Sequence, residues 1–240
     1  MLEIILIASF LTSLVSLIGI VFLAYKGKLQ GFIDNAVCFS IGALLATVFY
    51  GMIPEIEEKA IWVGVFVIVS LLIEKFLHWH HCHRYKCDVH PFGWMNLIGD
   101  AIHNATDGFT IAVSFLVSPA LGWATTLAII AHEVPQEIGD FFILLKAGFG
   151  VRKALLSNFL IALTALIGAL VGYYLAGWEV LIPYMLAFAA GNLLYIAMVD
   201  LMPNLRDVTE IESEIVRLML LTTGFAVVTI AISFARSIIG

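Results

Sequence analysis

Runs of about twenty apolar residues, separated by short polar connections, recur along the whole chain. Eight can be marked, at about 2 to 25, 33 to 54, 60 to 79, 93 to 117, 122 to 146, 154 to 176, 181 to 202 and 216 to 238. Each is long enough to cross a hydrocarbon core as a helix, which takes about 20 residues. The runs are apolar all round, whereas a membrane β-barrel would show segments of alternating polarity. The pattern predicts an all-α, polytopic membrane protein of eight transmembrane helices, organised as one domain over 1–240. The first run opens Met1, Leu2, Glu3 without a basic stretch, so it is expected to be a helix of the protein and not a secretory signal. Two runs break the apolar pattern. The fourth carries HNATDG from His103, and the fifth carries HEVPQEIGD from His132.

Composition agrees with this reading. At 240 residues, 62% hydrophobic, 12% charged and with a mean hydropathy of +1.03, the chain holds more apolar surface than one water-soluble core can bury. Ten of the twelve basic residues, namely Lys26, Lys28, Lys75, Arg84, Lys86, Lys146, Arg152, Lys153, Arg206 and Arg217, fall in or beside alternate connections. Lys59 and Arg236 fall on the opposite side. The positive-inside rule then puts both termini outside, which requires an even number of spans. The net charge of -6 says little about partners, because many of the acids lie within the membrane runs or between 207 and 214. No basic patch suggests nucleic acid. Cys38 reads as a small apolar helix residue. Cys82 and Cys87 sit in a predicted cytoplasmic His/Cys-rich loop over 80–92 with His80, His81, His83 and His90, just after His78. A reducing compartment would keep these cysteines as thiols.

The polar residues of the fourth and fifth runs carry the chemistry. A charged side chain at the bilayer centre costs roughly 2.5 to 3.5 kcal/mol on insertion scales, so these groups must face protein, water or a cation. Residues 100, 103 and 107 follow helical spacing, as do 132, 136 and 140. The two helices are joined near Ser118 and Pro119, so they run antiparallel and adjacent. Counting from the cytoplasmic ends puts His103 level with Gln136, and Asp107 level with His132. At 1.5 Å per residue those positions lie roughly 15 to 21 Å deep, near the middle of the core. Histidine and carboxylate four residues apart on neighbouring helices is the geometry of a divalent metal site. Imidazole and carboxylate suit Zn²⁺, Fe²⁺, Mn²⁺ and similar ions such as Cd²⁺, while thiolate or thioether would point to Cu⁺.

The neighbours extend the picture. Asp100 and Asp140 fall together nearer the cytosol and read as a polar exit route, with Glu137 as a supporting or pathway group. Asn104 and Glu133 project about 100° from the stripes, where they either build a second metal position sharing Asp107 or bond to backbone. Asp200, Asn192 and Asn158 read as interhelical hydrogen-bonding residues, with contact to a transported ion as the alternative. Pro135 disturbs the carbonyl of Ala131, immediately before His132. Gly108 and Gly139 are expected to permit close helix approach beside the site.

HNATDG followed on the next helix by HEVPQEIGD resembles the paired signatures of the ZIP family of divalent metal transporters, written HNxxDG and HExPHExGD. The likeness extends to eight helices, a histidine-rich loop between the third and fourth, Pro54 and Glu55 ending the second, and GNLLYIAMVDLMP on the seventh. By resemblance, His103, Asp107, His132 and Gln136 occupy one metal position, and Asn104, Asp107 and Glu133 contribute to a second. The resemblance further implies uptake of zinc or a related ion toward the cytosol, a homodimer, and elevator-like movement of the site-bearing helices against a scaffold. A plasma (cell inner) membrane location goes with it. Three positions depart from the pattern. Gln136 replaces a His or acid by a neutral amide, which should weaken the first site. Gly51 stands where related sequences carry His, and Asn204 where Glu commonly follows the proline of the seventh helix.

Rival readings are weighed against this. HEVPQ begins like the HExxH of an intramembrane zinc protease, in which two His hold zinc and Glu activates water. The second His is absent at Gln136, and Pro135 disturbs the helix that would hold both ligands. A structural or signalling protein with an incidental metal site is the third class. The loop residues His78, His80, His81, Cys82, His83, Cys87 and His90 are either solvated polar groups or a cytosolic metal-receiving segment.

Overall fold

In a computed structural model, residues 1–18, 29–79, 89–205 and 211–239 are described, and among them there is no strand. Eight helical segments follow one another. These are α1 (Leu2–Ser13, extended by a 3₁₀ turn Leu14–Ile18), α2 (Leu29–Ala46, continued by Thr47–Met52 and Ile53–Ile56), α3 (Ile61–Trp79), α4 (Val89–Val117), α5 (Pro119–Lys146), α6 (Val151–Leu175), α7 (Ile182–Tyr195, continued by Ile196–Leu201) and α8 (Ile211–Ile239). The second half of the first apolar run, and the loop residues His80, His81, Cys82, His83 and Cys87, lie outside the described residues. Four segments, Ile33–Ile56, Val151–Leu175, Glu179–Val199 and Glu214–Ser237, are long and apolar enough by composition to cross a bilayer. The helices α4 and α5 are longer still, at 29 and 28 residues, but their polar stripes lower the mean hydropathy.

Prolines shape the helices. Downstream of Thr47–Met52 on α2 and of Ile196–Leu201 on α7, both π-helical, stand Pro54 and Pro203. A proline offers no N–H to the carbonyl four residues back, and the wider turn absorbs the mismatch. Pro135 acts differently, since α5 stays helical through it. The carbonyl it frees, that of Ala131, accepts instead from Ser40 Oγ of α2 at 2.6 Å.

The helices form two groups. In the first, α4 packs closely on α6 and on α5, with α1 against all three. In the second, α2 packs on α8 and α3 on α7, with α2 and α7 in contact. Close approach within each group depends on glycine. A Cβ at Gly108 would lie 1.8 Å from the carbonyl oxygen of Ala165, and one at Gly168 would lie 1.7 Å from that of Ala105, so α4 and α6 touch backbone to backbone. Gly42 and Gly224 do the same for α2 and α8, at 1.9 Å from Leu221 O and 2.1 Å from Phe39 O. Gly139 has nothing within 4 Å of its would-be Cβ. The sequence expectation of a close approach there is therefore corrected: α5 presents that face to open space, and of the two glycines expected to sit at a close approach, Gly108 does.

Candidate metal centre

The hairpin between α4 and α5 sets the site's register. Ser118 caps α5 by accepting from the Leu121 amide at 3.2 Å, and Pro119 occupies the first turn, where its missing N–H costs nothing. Thr125 donates to Ser114 at 3.1 Å across the pair. Asp107 and His132 each stand seven residues further from the hairpin than Ser114 and Thr125, so one antiparallel register fits both contacts.

Four donor atoms converge at that depth. His103 Nε2 lies 3.2 Å from His132 Nε2, 3.2 Å from Glu133 Oε1 and 3.8 Å from Asp107 Oδ2. His132 Nε2 lies 3.2 Å from Asp107 Oδ2 and 3.5 Å from Glu133 Oε1. In a tetrahedral site with metal–ligand bonds of about 2.0–2.1 Å, neighbouring donors stand about 3.3 Å apart. The observed separations bracket that value. Three of the side chains are almost fully buried, His132 at 0% and Asp107 and Glu133 at 2% exposure, while His103 retains 16%. None of the carboxylate oxygens of Asp107 or Glu133 has a hydrogen-bond partner. Buried carboxylates without partners are expensive, and a cation among them supplies what the protein leaves out. The Ala128 carbonyl lies 3.3 Å from His132 Nδ1. With the ring N–H donated there, the Nε2 lone pair faces the other three donors, as a metal-binding imidazole requires.

Beside this cluster stands a second. Asp100, Glu137 and Asp140 each offer an oxygen within 4.8 Å of the others. Asn104 donates to Asp100 Oδ1 at 2.7 Å and to the Asp100 carbonyl at 3.1 Å. Asn96 donates to Asp140 Oδ1 at 2.9 Å, and Asn158 of α6 donates to Glu137 Oε2.

The sequence-predicted residues thus divide. His103, Asp107, His132 and Glu133 meet, while Asn104 faces Asp100 and Gln136 is half-buried one turn beyond His132 on α5. Asn158 makes an interhelical hydrogen bond of the expected kind, whereas Asn192 Nδ2 has no partner. His78 lies on α3, His90 on α4 and Asp200 in the π-helical turn of α7, and their side chains lie outside the described residues. Asn96 escaped sequence reasoning. Its signal was present, because 96, 100 and 104 continue one helical stripe.

Such a donor set, buried in a bundle of apolar helices, is one of the kind that holds a divalent cation. Comparison with known proteins narrows it: the model of the ZIP zinc transporter family matches residues 80–231, and the chain belongs to that family. Zinc transporter ZIP13 of Pongo abelii is 32% identical over 217 residues, which cover 80% of this chain and 64% of the relative. Metal cation symporter ZIP14 of Homo sapiens is 33% identical over 197 residues, 78% of this chain and 39% of the relative. Zinc transporter foi of Drosophila melanogaster is 42% identical over 112 residues, 47% of this chain and 16% of its own length. This chain thus spans less than two thirds of these relatives. They are named as transporters, not as enzymes, which sets the protease reading aside. The geometry agrees: the second imidazole comes from α4, and not from the helix that bears His132.

Proposed function

We propose that this protein carries divalent metal cations, zinc first among them, across a cell's plasma membrane toward the cytosol. The observation that carries this reading is the set of four donors, His103, Asp107, His132 and Glu133, spaced as the corners of a site for a small divalent ion. Cargo sheds water on reaching these groups and regains it on leaving. Gln136 serves as a weaker ligand at the rim, and Asn104 joins Asp107 and Glu133 when a second ion is held. Asp100, Glu137 and Asp140 receive the ion on its way to the cytosol, and the loop over 80–92 takes it up there. Asp200 lines the route on α7.

Access alternates when α1, α4, α5 and α6 move as a unit against α2, α3, α7 and α8. The protein works as a homodimer with eight spans and both termini outside. Glu55 and Arg236 pair at 2.7 Å, and Asp34 and Arg217 at 3.6 Å, pairings that suit this orientation because each joins charges assigned to the same side.

Uptake of Zn²⁺, Fe²⁺, Mn²⁺ and Cd²⁺ into liposomes holding the purified protein tests the reading. Zn²⁺ should enter, and Asp107→Ala and His132→Ala should each lower its apparent affinity beyond the roughly 10- to 100-fold typical of losing an outer ligand contact. Unchanged uptake in both variants would remove the site. Protons compete for imidazole and carboxylate alike, so affinity should fall as external pH drops from 7 toward 5. A flat profile would show that these groups do not bind the ion.

A further inference from the structure

We propose that Asp100, Glu137 and Asp140 form a second divalent-cation site whose all-oxygen donor set favours Mn²⁺-like ions. The three carboxylates converge within 4.8 Å, and among the described residues no lysine or arginine forms an ion pair with any of them. Asp100 is 5% exposed and Glu137 fully buried. One oxygen of each carboxylate is held by an amide, from Asn104, Asn158 and Asn96 respectively. That leaves Asp100 Oδ2 and Glu137 Oε1 buried with no hydrogen-bond partner. The amides orient the acids and do not neutralise them.

The indication of a ligand is the pair of unpartnered oxygens, Asp100 Oδ2 and Glu137 Oε1, on side chains that are 5% and 0% exposed. Asn158 comes from α6, outside the α4–α5 hairpin, is 0% exposed, and donates to Glu137, which leaves the other oxygen of that carboxylate free. Three carboxylates are hard donors of the kind that suit Mn²⁺, Mg²⁺ and Ca²⁺, whereas two imidazoles make the first cluster the better Zn²⁺ site. Asp100 is three residues from His103 and Glu137 four from Glu133, so the two sites are offset by about 5 to 6 Å along the helices. The chain would then hold two stations of different chemical character, and the oxygen-only station would set which ions pass easily beyond the first. Its role in passage rests on the transport reading, but its binding does not.

Mn²⁺ electron spin-echo spectroscopy on the full chain in nanodiscs separates the two. In a His103→Ala/His132→Ala background, Mn²⁺ should bind at this cluster without ¹⁴N coupling from imidazole. Adding Asp100→Asn and Asp140→Asn should weaken that binding at least tenfold, while Asp140→Glu should retain it. Should the asparagine pair fail to fold, judged by gel filtration, Glu137→Gln alone must produce the same tenfold loss. No bound Mn²⁺ in the histidine-free background would mean that the cluster holds protons only, and would overturn the proposal. So would ¹⁴N coupling, or affinity unmoved by the acid substitutions. Absence of uptake by the wild type with this binding intact would count against transport alone.

Discussion

Within each group of helices backbone meets backbone at a glycine seam, whereas between the groups α2 meets α5 through side chains, at Gly51 and Ser40. The α4–α6 and α2–α8 crossings are closed by Gly108, Gly168, Gly42 and Gly224, each of which leaves less room than one methyl group. Where α2 of one group meets α5 of the other, Gly51 faces the tips of two side chains, Leu121 at 2.7 Å and Ile232 of α8 at 3.2 Å from a would-be Cβ. An apolar crevice of about 250 Å³ opens beside that contact between α2, α5 and α8, lined in part by Phe39, Ala131 and Val228. In an apolar solvent helices gain little from burying apolar surface, so close packing decides which pairs stay together. The difference teaches which crossing is locked: α4–α6 is held by backbone contact, whereas at α2–α5 Gly51 meets side chains.

The harshest way to break this comparison is to thicken a glycine seam. Gly168→Val would drive a branched side chain into the Ala105 carbonyl, which belongs to backbone and cannot step aside. Overpacking of cores costs about 1–3 kcal/mol, and a clash with a fixed carbonyl should exceed about 3 kcal/mol. Purified protein should therefore be lost or unfold well below the wild type in a thermal scan. Gly139→Ala is the matched control, since its Cβ meets nothing and alanine is the better helix former by about 1 kcal/mol. A Gly168→Val protein as stable as the wild type would show that the α4–α6 seam is not rigid.

Much of this arrangement was legible in the sequence, for definite reasons. Apolar runs fix helix positions because a bilayer forbids unpaired backbone, and the stripes at 100, 103, 107 and at 132, 136, 140 identify facing sides by helical spacing alone. Spacing does not say which member of a stripe reaches furthest. Gln136 lies on the favoured face, yet the fourth donor to meet the two imidazoles and Asp107 is Glu133, set about 100° away. Nor could spacing identify Gly108 over Gly139, because closeness depends on the partner helix, here α6, whose approach no local pattern records. The acceptor of the Ser40 hydroxyl, 91 residues away, was beyond local pattern for the same reason.

Ser40 is a gentler probe, placed between the groups. Its hydroxyl has one hydrogen but two acceptors, Ala36 O at 2.7 Å on its own helix and Ala131 O at 2.6 Å on α5. If α5 slides away, the hydrogen turns back to Ala36 and the serine itself loses nothing. Ser40→Ala removes the bond to the proline-freed carbonyl and should cost about 1–3 kcal/mol, the range for an orphaned buried polar group. Amide exchange around His132 should quicken in the variant, and Ser40→Thr, which keeps the hydroxyl, should restore it. Exchange that is unaltered by Ser40→Ala would mean that this contact does not couple α2 to α5.

The smallest effect is expected at a polar contact within one group. Arg236 of α8 places Nη1 3.5 Å from the Tyr50 carbonyl while pairing with Glu55 and lying 5.6 Å over the Tyr50 ring. Arg236 and Glu55 are 36% and 37% exposed, so water screens the pair, and exposed pairs are worth about 0–1 kcal/mol. Arg236→Ala should lower stability by no more than that, because α2 and α8 remain locked at Gly42 and Gly224. It should leave Zn²⁺ affinity unchanged, since neither partner faces the donors on α4 and α5. The contrast with Ser40 is therefore one of placement: a polar contact counts for more where side chains alone join two helices than where a glycine seam already locks them. Binding isotherms for both variants, measured side by side, check it. A larger shift in Zn²⁺ affinity from Arg236→Ala than from Ser40→Ala would overturn that contrast.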